Sequence, residues 1–243
     1  MSRSKEPSAA NPRDAIPRRG GTGSSTVQAI KSHILDRGLR PGDPLPTEAE
    51  LVQELGVSRS SVREAIRTLV SLDLVEVRHG HGTTVGNMSL APFITGLVFR
   101  SLLNPDGHLT TLREVVQLRE GIDSMVALQL VERLRGEEMP ELEALVERMR
   151  ERSTAGESFM EEDQEFHRLL LNHVGNDLAT ELVVALWEVN TIVVPLLGIA
   201  APDDIRDTVE AHGDMLKALR AGDADAYRQA VVAHYRPLHK ILD

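Results

Sequence analysis

The 243-residue chain has no cysteine. Disulfide staples, thiolate metal ligands and a cysteine nucleophile are therefore all excluded. Aromatic residues make up only 3% of the chain, against 41% hydrophobic residues overall. A core large enough for two domains must then be built from Leu, Val, Ile and Ala. No stretch offers the roughly 18–20 uninterrupted apolar residues of a spanning helix. The first residues mix charge and proline without the apolar run of a secretory signal. The expected setting is cytoplasmic, with no membrane partner.

What is abundant is acid, and it is unevenly placed. The net charge is −10. Residues 1–25 carry five Lys/Arg against two Asp/Glu, residues 26–86 seven against eight, and residues 87–243 fifteen against twenty-seven. The acidity lies in the C-terminal part, which leaves a nearly neutral N-terminal region free to bind DNA through one basic face.

Local patterns divide the chain further. Residues 1–25, rich in Ser, Pro, Gly and Arg, read as a disordered arm. A helix is expected from Thr26 to about Arg37, with Val27, Ile30, Ile34 and Leu35 on one face. Thr47 followed by Glu50 has the form of a capping box opening a second helix that Gly56 ends. Ser58 caps a third helix, with Val62, Ala65, Ile66 and Leu69 inward. Val75–Val77 and Thr83–Val85 around Gly80 and Gly82 predict a β-hairpin. Residues 87–109 read as a linker containing one helix. From Thr110 onward the periodicity is helical throughout, over about 110–135, 138–154, 158–174, 177–197, 203–221 and 223–241. Pro195 should kink or end its helix. The expected fold class is mainly α: a winged helix-turn-helix over 26–86 and an all-α bundle over 110–243.

The third helix opens Ser58-Arg59-Ser60-Ser61-Val62-Arg63. Hydroxyls and the free N–H groups of a helix start suit phosphate oxygens, and arginine forks onto guanine in the major groove. At the hairpin tip, His79-Gly80 permits close backbone approach to a duplex. Residues 40–85, including PGDPLPTE, GVSRSSVREAIRTL and HGHGTTV, resemble the winged helix of GntR-type regulators. The resemblance implies DNA contacts from Ser58, Arg59, Ser60, Ser61, Arg63, His79 and Gly80. It also exposes a departure: Ala49 stands where the family usually has an arginine that touches DNA.

A second constellation lies in the acidic half. Asp163 and His167 are four residues apart on one helical face. His212 and His234 lie ten and eleven residues either side of the turn Gly222-Asp223, so antiparallel helices set them side by side. One carboxylate and three imidazoles can hold zinc first, with nickel or manganese as alternatives. The same residues can also be read as polar core without an ion. His33, His108, His173 and His239 show no matching partners by spacing.

The segments DQEFHRLLLNHVGN and EAHGDMLKALRAGDADAYRQAVVAH resemble the FCD effector domain of the FadR subfamily. That resemblance implies a helical bundle with a central metal, whose ligand pattern falls on Asp163, His167, His212 and His234. It further implies a small effector such as an organic, sugar or amino acid. Arg119 falls where an effector carboxylate would be met, Asp123 where the family usually has glutamate, and Asn190 and Trp187 are pocket candidates. The implied protein is a homodimer on palindromic operator DNA, a regulator of the repressor kind. A metalloenzyme would need a general base, for which only Glu162 and Glu165 are at hand. A purely architectural DNA binder would leave the histidine cluster without a role. No enzyme activity is expected.

Overall fold

A computed structural model describes residues 22–78, 80, 82–103, 108–198 and 205–242. It divides into two units, one ending at Pro92 and one starting at Phe93.

In the first unit the order is α1(Thr22–Asp36), α2(Glu48–Leu55), α3(Arg59–Ser71), β1(Val75–Arg78) and β2(Gly82–Val85). Helix α1 starts four residues before the position expected from its apolar face, so residues 22–25 are helical and not part of an arm. Residues 1–21 lie outside the described residues. Helix α2 begins at a complete capping box: Thr47 accepts from the Glu50 N–H at 3.3 Å, and Glu50 accepts from the Thr47 N–H at 2.8 Å. Each satisfies a backbone donor that a helix start leaves without a partner. Gly56 closes α2 in the left-handed region, at φ 64°, where a side chain would be strained.

That tight turn sets α3 across α1, and Ile30, Leu51, Val62, Leu69, Val75 and Val85 fill the space between helices and hairpin. Strands β1 and β2 pair antiparallel, Val75 with Val85 through Arg78 with Gly82. Backbone around Pro44 adds a third edge, with the Leu45 N–H donating to Thr83 at 2.8 Å. Gly86 seals the hairpin base: a Cβ there would stand 2.4 Å from the Asp73 carbonyl oxygen.

The second unit is helical: α4(Ala91–Leu103, straddling the boundary), α5(His108–Met125), α6(Ala127–Leu134), α7(Pro140–Ala155), α8(Met160–Asn172), α9(Asp177–Leu196), α10(Ile205–Ala221) and α11(Ala224–Leu242). One long helix had been expected over 110–135; the backbone breaks at Val126 into α5 and α6. Six helices close a ring by packing in the order α5, α11, α10, α7, α8, α9 and back to α5. The α10–α11 turn is built by Gly222 at φ 77° and by Asp223, whose carboxylate accepts from the Asp225 and Ala226 N–H groups at 3.1 and 2.9 Å.

Helix α9 is long and apolar enough to span a membrane by length and composition. Here its Val183, Leu186, Val189 and Val193 are buried in the bundle. Pro195 sits in its last turn, one residue before the end. Pro237 is tolerated inside α11, which runs on to Leu242.

Candidate functional site

The centre of the ring is polar. Helix α8 delivers Asp163 and His167 from successive turns, α10 delivers His212 and α11 delivers His234. The three histidines are at most 1% exposed. One ligand atom from each of the four residues falls within a cluster 4.8 Å across. Asp163 Oδ1 lies 3.1, 3.9 and 4.0 Å from the Nε2 atoms of His212, His167 and His234, and the last two Nε2 atoms are 3.2 Å apart. Four ligands at zinc bonding distances around a tetrahedral ion would be separated by about 3.3 Å. The set therefore fits a transition ion in donor type, number and spacing.

Hydrogen bonding makes the same case. Asp163 Oδ1 and both ring nitrogens of His212 are buried without a hydrogen-bond partner among the described residues. Buried polar atoms of this kind normally have one. Burial pulls His212 and His234 below the ordinary histidine value, His234 well below it, with the neighbouring imidazoles adding to the effect on His234. That direction favours the neutral ring, the form that offers a lone pair to an ion. Burial alone would raise Asp163, but His212, 3.1 Å from its Oδ1, and the other two imidazoles outweigh it and hold the carboxyl well below its usual range.

Around these four lie groups from α5 and α9. Burial would lower His167, yet Asp123 outweighs it and raises the ring: the Asp123 carboxylate is 3.2 Å from His167 Nδ1. The same carboxylate oxygen accepts from the Tyr235 hydroxyl at 2.7 Å. The Trp187 indole N–H donates to Asp163 Oδ2 at 2.8 Å, which leaves Oδ1 directed at the histidines. Arg119, one turn before Asp123, is 2% exposed. Its guanidinium lies over the Tyr235 ring and 3.9 Å from Asp163, while Nε and Nη2 have no hydrogen-bond partner among the described residues. A cavity of about 410 Å³ opens beside this cluster, lined by Arg119, Asp163 and His234 together with Trp187, Asn190 and Ser153.

Every residue nominated from the sequence for metal or effector thus falls in one place. The spacing argument for His212 and His234 corresponds to ring centroids 4.5 Å apart. Sequence reasoning missed Ser153 and Tyr235, and it noted Asp123 only as a departure from a family pattern. Asp123 shares a helical face with Arg119, but nothing local links it to Tyr235, 112 residues away. Two other histidines do have acidic partners: His33 lies 3.4 Å from Glu54 and His239 lies 2.7 Å from Glu120. His173 is exposed at the end of α8, and the His108 side chain is outside the described residues.

The DNA candidates form a separate set in the first unit. Ser58 caps α3, accepting from the Ser61 N–H at 3.1 Å, and its hydroxyl also meets those of Ser60 and Ser61 at 2.8 and 2.9 Å. Arg59 is exposed beside them. Arg63 is exposed too, but its Nε donates to Glu48 on α2 at 2.8 Å. Glu48 is a further residue the sequence did not single out. Gly80 stands at the hairpin tip with φ 80°; His79 lies outside the described residues.

Comparison with known proteins agrees with this division. Residues 22–85 match the family of bacterial regulatory proteins named gntR, and residues 114–237, just over half the chain, match the FCD domain. The galactonate operon transcriptional repressor of Escherichia coli is 26% identical over 192 residues, covering 79% of this chain and 84% of the relative. The transcriptional repressor NanR of Cronobacter sakazakii is 27% identical over 213 residues, covering 85% and 80%. Among solved structures, GntR of Streptococcus agalactiae aligns with a TM-score of 0.65 at 26% identity, over 90% of this chain and 99% of that one. The chain belongs to the GntR family of bacterial regulatory proteins, with an FCD domain as its C-terminal half: it is a DNA-binding transcription regulator and not an enzyme.

Proposed function

We propose that this regulator is a cytoplasmic, homodimeric repressor. In this reading its affinity for a palindromic operator is set by a small carboxylate bound beside a divalent transition ion in the C-terminal bundle. The observation that carries the reading is Arg119: a guanidinium 2% exposed, with two nitrogens lacking partners, in the wall of a cavity shared with Asp163 and His234. A buried cation is costly unless an anion answers it, and Asp163 at 3.9 Å is too distant to do so by a hydrogen bond.

Asp163, His167, His212 and His234 would hold the ion, zinc first, with nickel or manganese as alternatives. The ion would supply positive charge and open coordination positions to an acidic ligand. Arg119 binds the carboxylate by a forked pair, and the free Asn190 Oδ1 orients the remainder of the molecule. Ser58, Arg59, Ser60, Ser61, Arg63, His79 and Gly80 form the operator-reading surface. Exposed Leu118, Met125 and Leu128 on α5 and α6 offer an apolar face to a second copy.

Regulation follows as a population shift. A ligand that binds one arrangement of the dimer better changes the fraction competent for operator. Linkage then requires that an effector weakening operator affinity by some factor binds the operator complex more weakly by the same factor. Calorimetric titration of a carboxylate panel, with and without an operator from the upstream region, tests this. The expected result is matching factors. An acid that binds equally well in both states while releasing DNA would refute the mechanism.

A further inference from the structure

The walls of the cavity allow the ligand to be described more narrowly, given the carboxylate reading above. Most of the wall surface is apolar, supplied by Phe159, Met160, Trp187, Val194, Leu238 and Ile241, although polar side chains also line the cavity. Most polar groups among the lining residues are already engaged. Thr191 donates to the Trp187 carbonyl at 3.1 Å, Thr208 to that of His234 at 3.3 Å, and Trp187 to Asp163 at 2.8 Å. Ser158 accepts from the Met160 N–H at 3.4 Å, and Glu157 pairs with Arg152 at 3.6 Å. Besides the metal cluster and Arg119, only Ser153 Oγ and Asn190 Oδ1 among the described lining side chains are buried polar atoms without a partner. A polyhydroxylated acid would bury several hydroxyls against these walls with few uncommitted groups to answer them, and each unanswered hydroxyl costs binding.

Charge sets a second limit. Arg119 contributes one positive charge and the carboxylates of Asp123 and Asp163 two negative ones. A divalent ion adds two positive charges, and histidines ligating through Nε2 add none. The buried site then carries one excess positive charge, which a single carboxylate neutralises. A second carboxylate would be buried without a counterion.

We infer that the effector is a monocarboxylate with a predominantly apolar body and at most one or two hydrogen-bonding substituents, not a sugar acid or a dicarboxylate. The cavity, about 410 Å³, is in the lower part of the range of small-molecule sites, roughly 300–1,000 Å³. A small metabolite fits that volume.

A six-carbon series tests the inference at constant chain length. Hexanoate, gluconate, adipate and 1-hexanol are titrated calorimetrically into the full-length protein loaded with zinc. Hexanoate should bind at least about tenfold more tightly than each of the other three. In Val194→Thr, which places a hydroxyl on the apolar wall at nearly constant volume, the gap between hexanoate and gluconate should narrow. Gluconate or adipate binding as tightly as hexanoate, or an unmoved ratio in Val194→Thr, would overturn the inference while leaving a carboxylate effector in place. Hexanol binding as tightly as hexanoate would instead overturn the carboxylate reading on which the inference rests.

Discussion

The two halves of this chain use charged and polar residues in opposite ways. In the N-terminal unit the candidate contact residues are on the surface: Arg59, Ser60 and Arg63 are exposed and Ser61 half-buried, and Arg63 is held by a less exposed Glu48. In the C-terminal bundle Arg119, Asp123, His167, His212 and His234 are almost fully buried. An exposed ion pair contributes little and gives way readily to a phosphate or a base edge. A buried cluster costs stability until each member has a partner, so it is sensitive to whatever supplies the missing one. The first arrangement suits reversible contact with a polyanion, the second a site whose occupancy changes the bundle.

The contrast is broken most severely by removing a buried ligand. His212→Ala and His234→Ala should each take a tag-free protein from close to one transition ion per chain to almost none. Each should also lower folding stability by about 3 kcal/mol or more, because an ion that binds only the folded state adds to stability and Asp163 loses its answering groups. Metal analysis and urea unfolding, before and after chelation, measure both. Metal-free native protein indifferent to chelator and to added zinc would leave these histidines as polar core.

A change one shell out should be smaller. Asp123→Asn replaces the carboxylate beside His167 with a neutral amide that can turn an N–H instead of an oxygen toward the ring, leaving its Nε2 less firmly presented to an ion, and weakens zinc affinity by about 10–100-fold. Competition with a chromogenic chelator reads this directly. Unchanged affinity would mean that Asp123 serves Tyr235 alone.

In the exposed half, Arg59→Ala and Arg63→Ala should each cost about 1–3 kcal/mol of specific operator binding if they fork onto bases, with the oligomeric state unchanged by light scattering. Arg63 must exchange its bond with Glu48 to do so. Glu48→Ala should therefore shift operator affinity in wild type and not in Arg63→Ala, which band-shift titration of the four proteins resolves. The smallest effect is expected for Ala49→Arg on the exposed face of α2. It should tighten binding only a few-fold and steepen the salt dependence by about one ion. A salt slope identical to wild type would place residue 49 away from DNA.

How far the sequence could be read follows the same division. The capping box at Thr47–Glu50, the Gly56 stop and the Ser58 cap are local devices within a few residues of one another, and each is where its pattern put it. The side-by-side placement of His212 and His234 was legible because a single turn relates their helices. The break at Val126 was not, since no glycine or proline stands there, and the early start of α1 was not, since the Gly, Thr and Ser residues over 20–25 carry no apolar periodicity. Nor were the bonds from Tyr235 to Asp123 and from Trp187 to Asp163, which join residues 112 and 24 apart and depend on how the ring of helices closes. Whether Arg119 had a partner could be asked only once its neighbours were in place.

The central claim is that the buried cation and the ion together read one carboxylate. Its most direct test is the affinity of hexanoate, by calorimetry, for zinc-loaded protein, for chelated protein and for zinc-loaded Arg119→Ala. The account predicts measurable binding to the first and at least about a tenfold loss in each of the others. Equal affinity for all three would contradict it and would make the centre of the bundle a structural clamp.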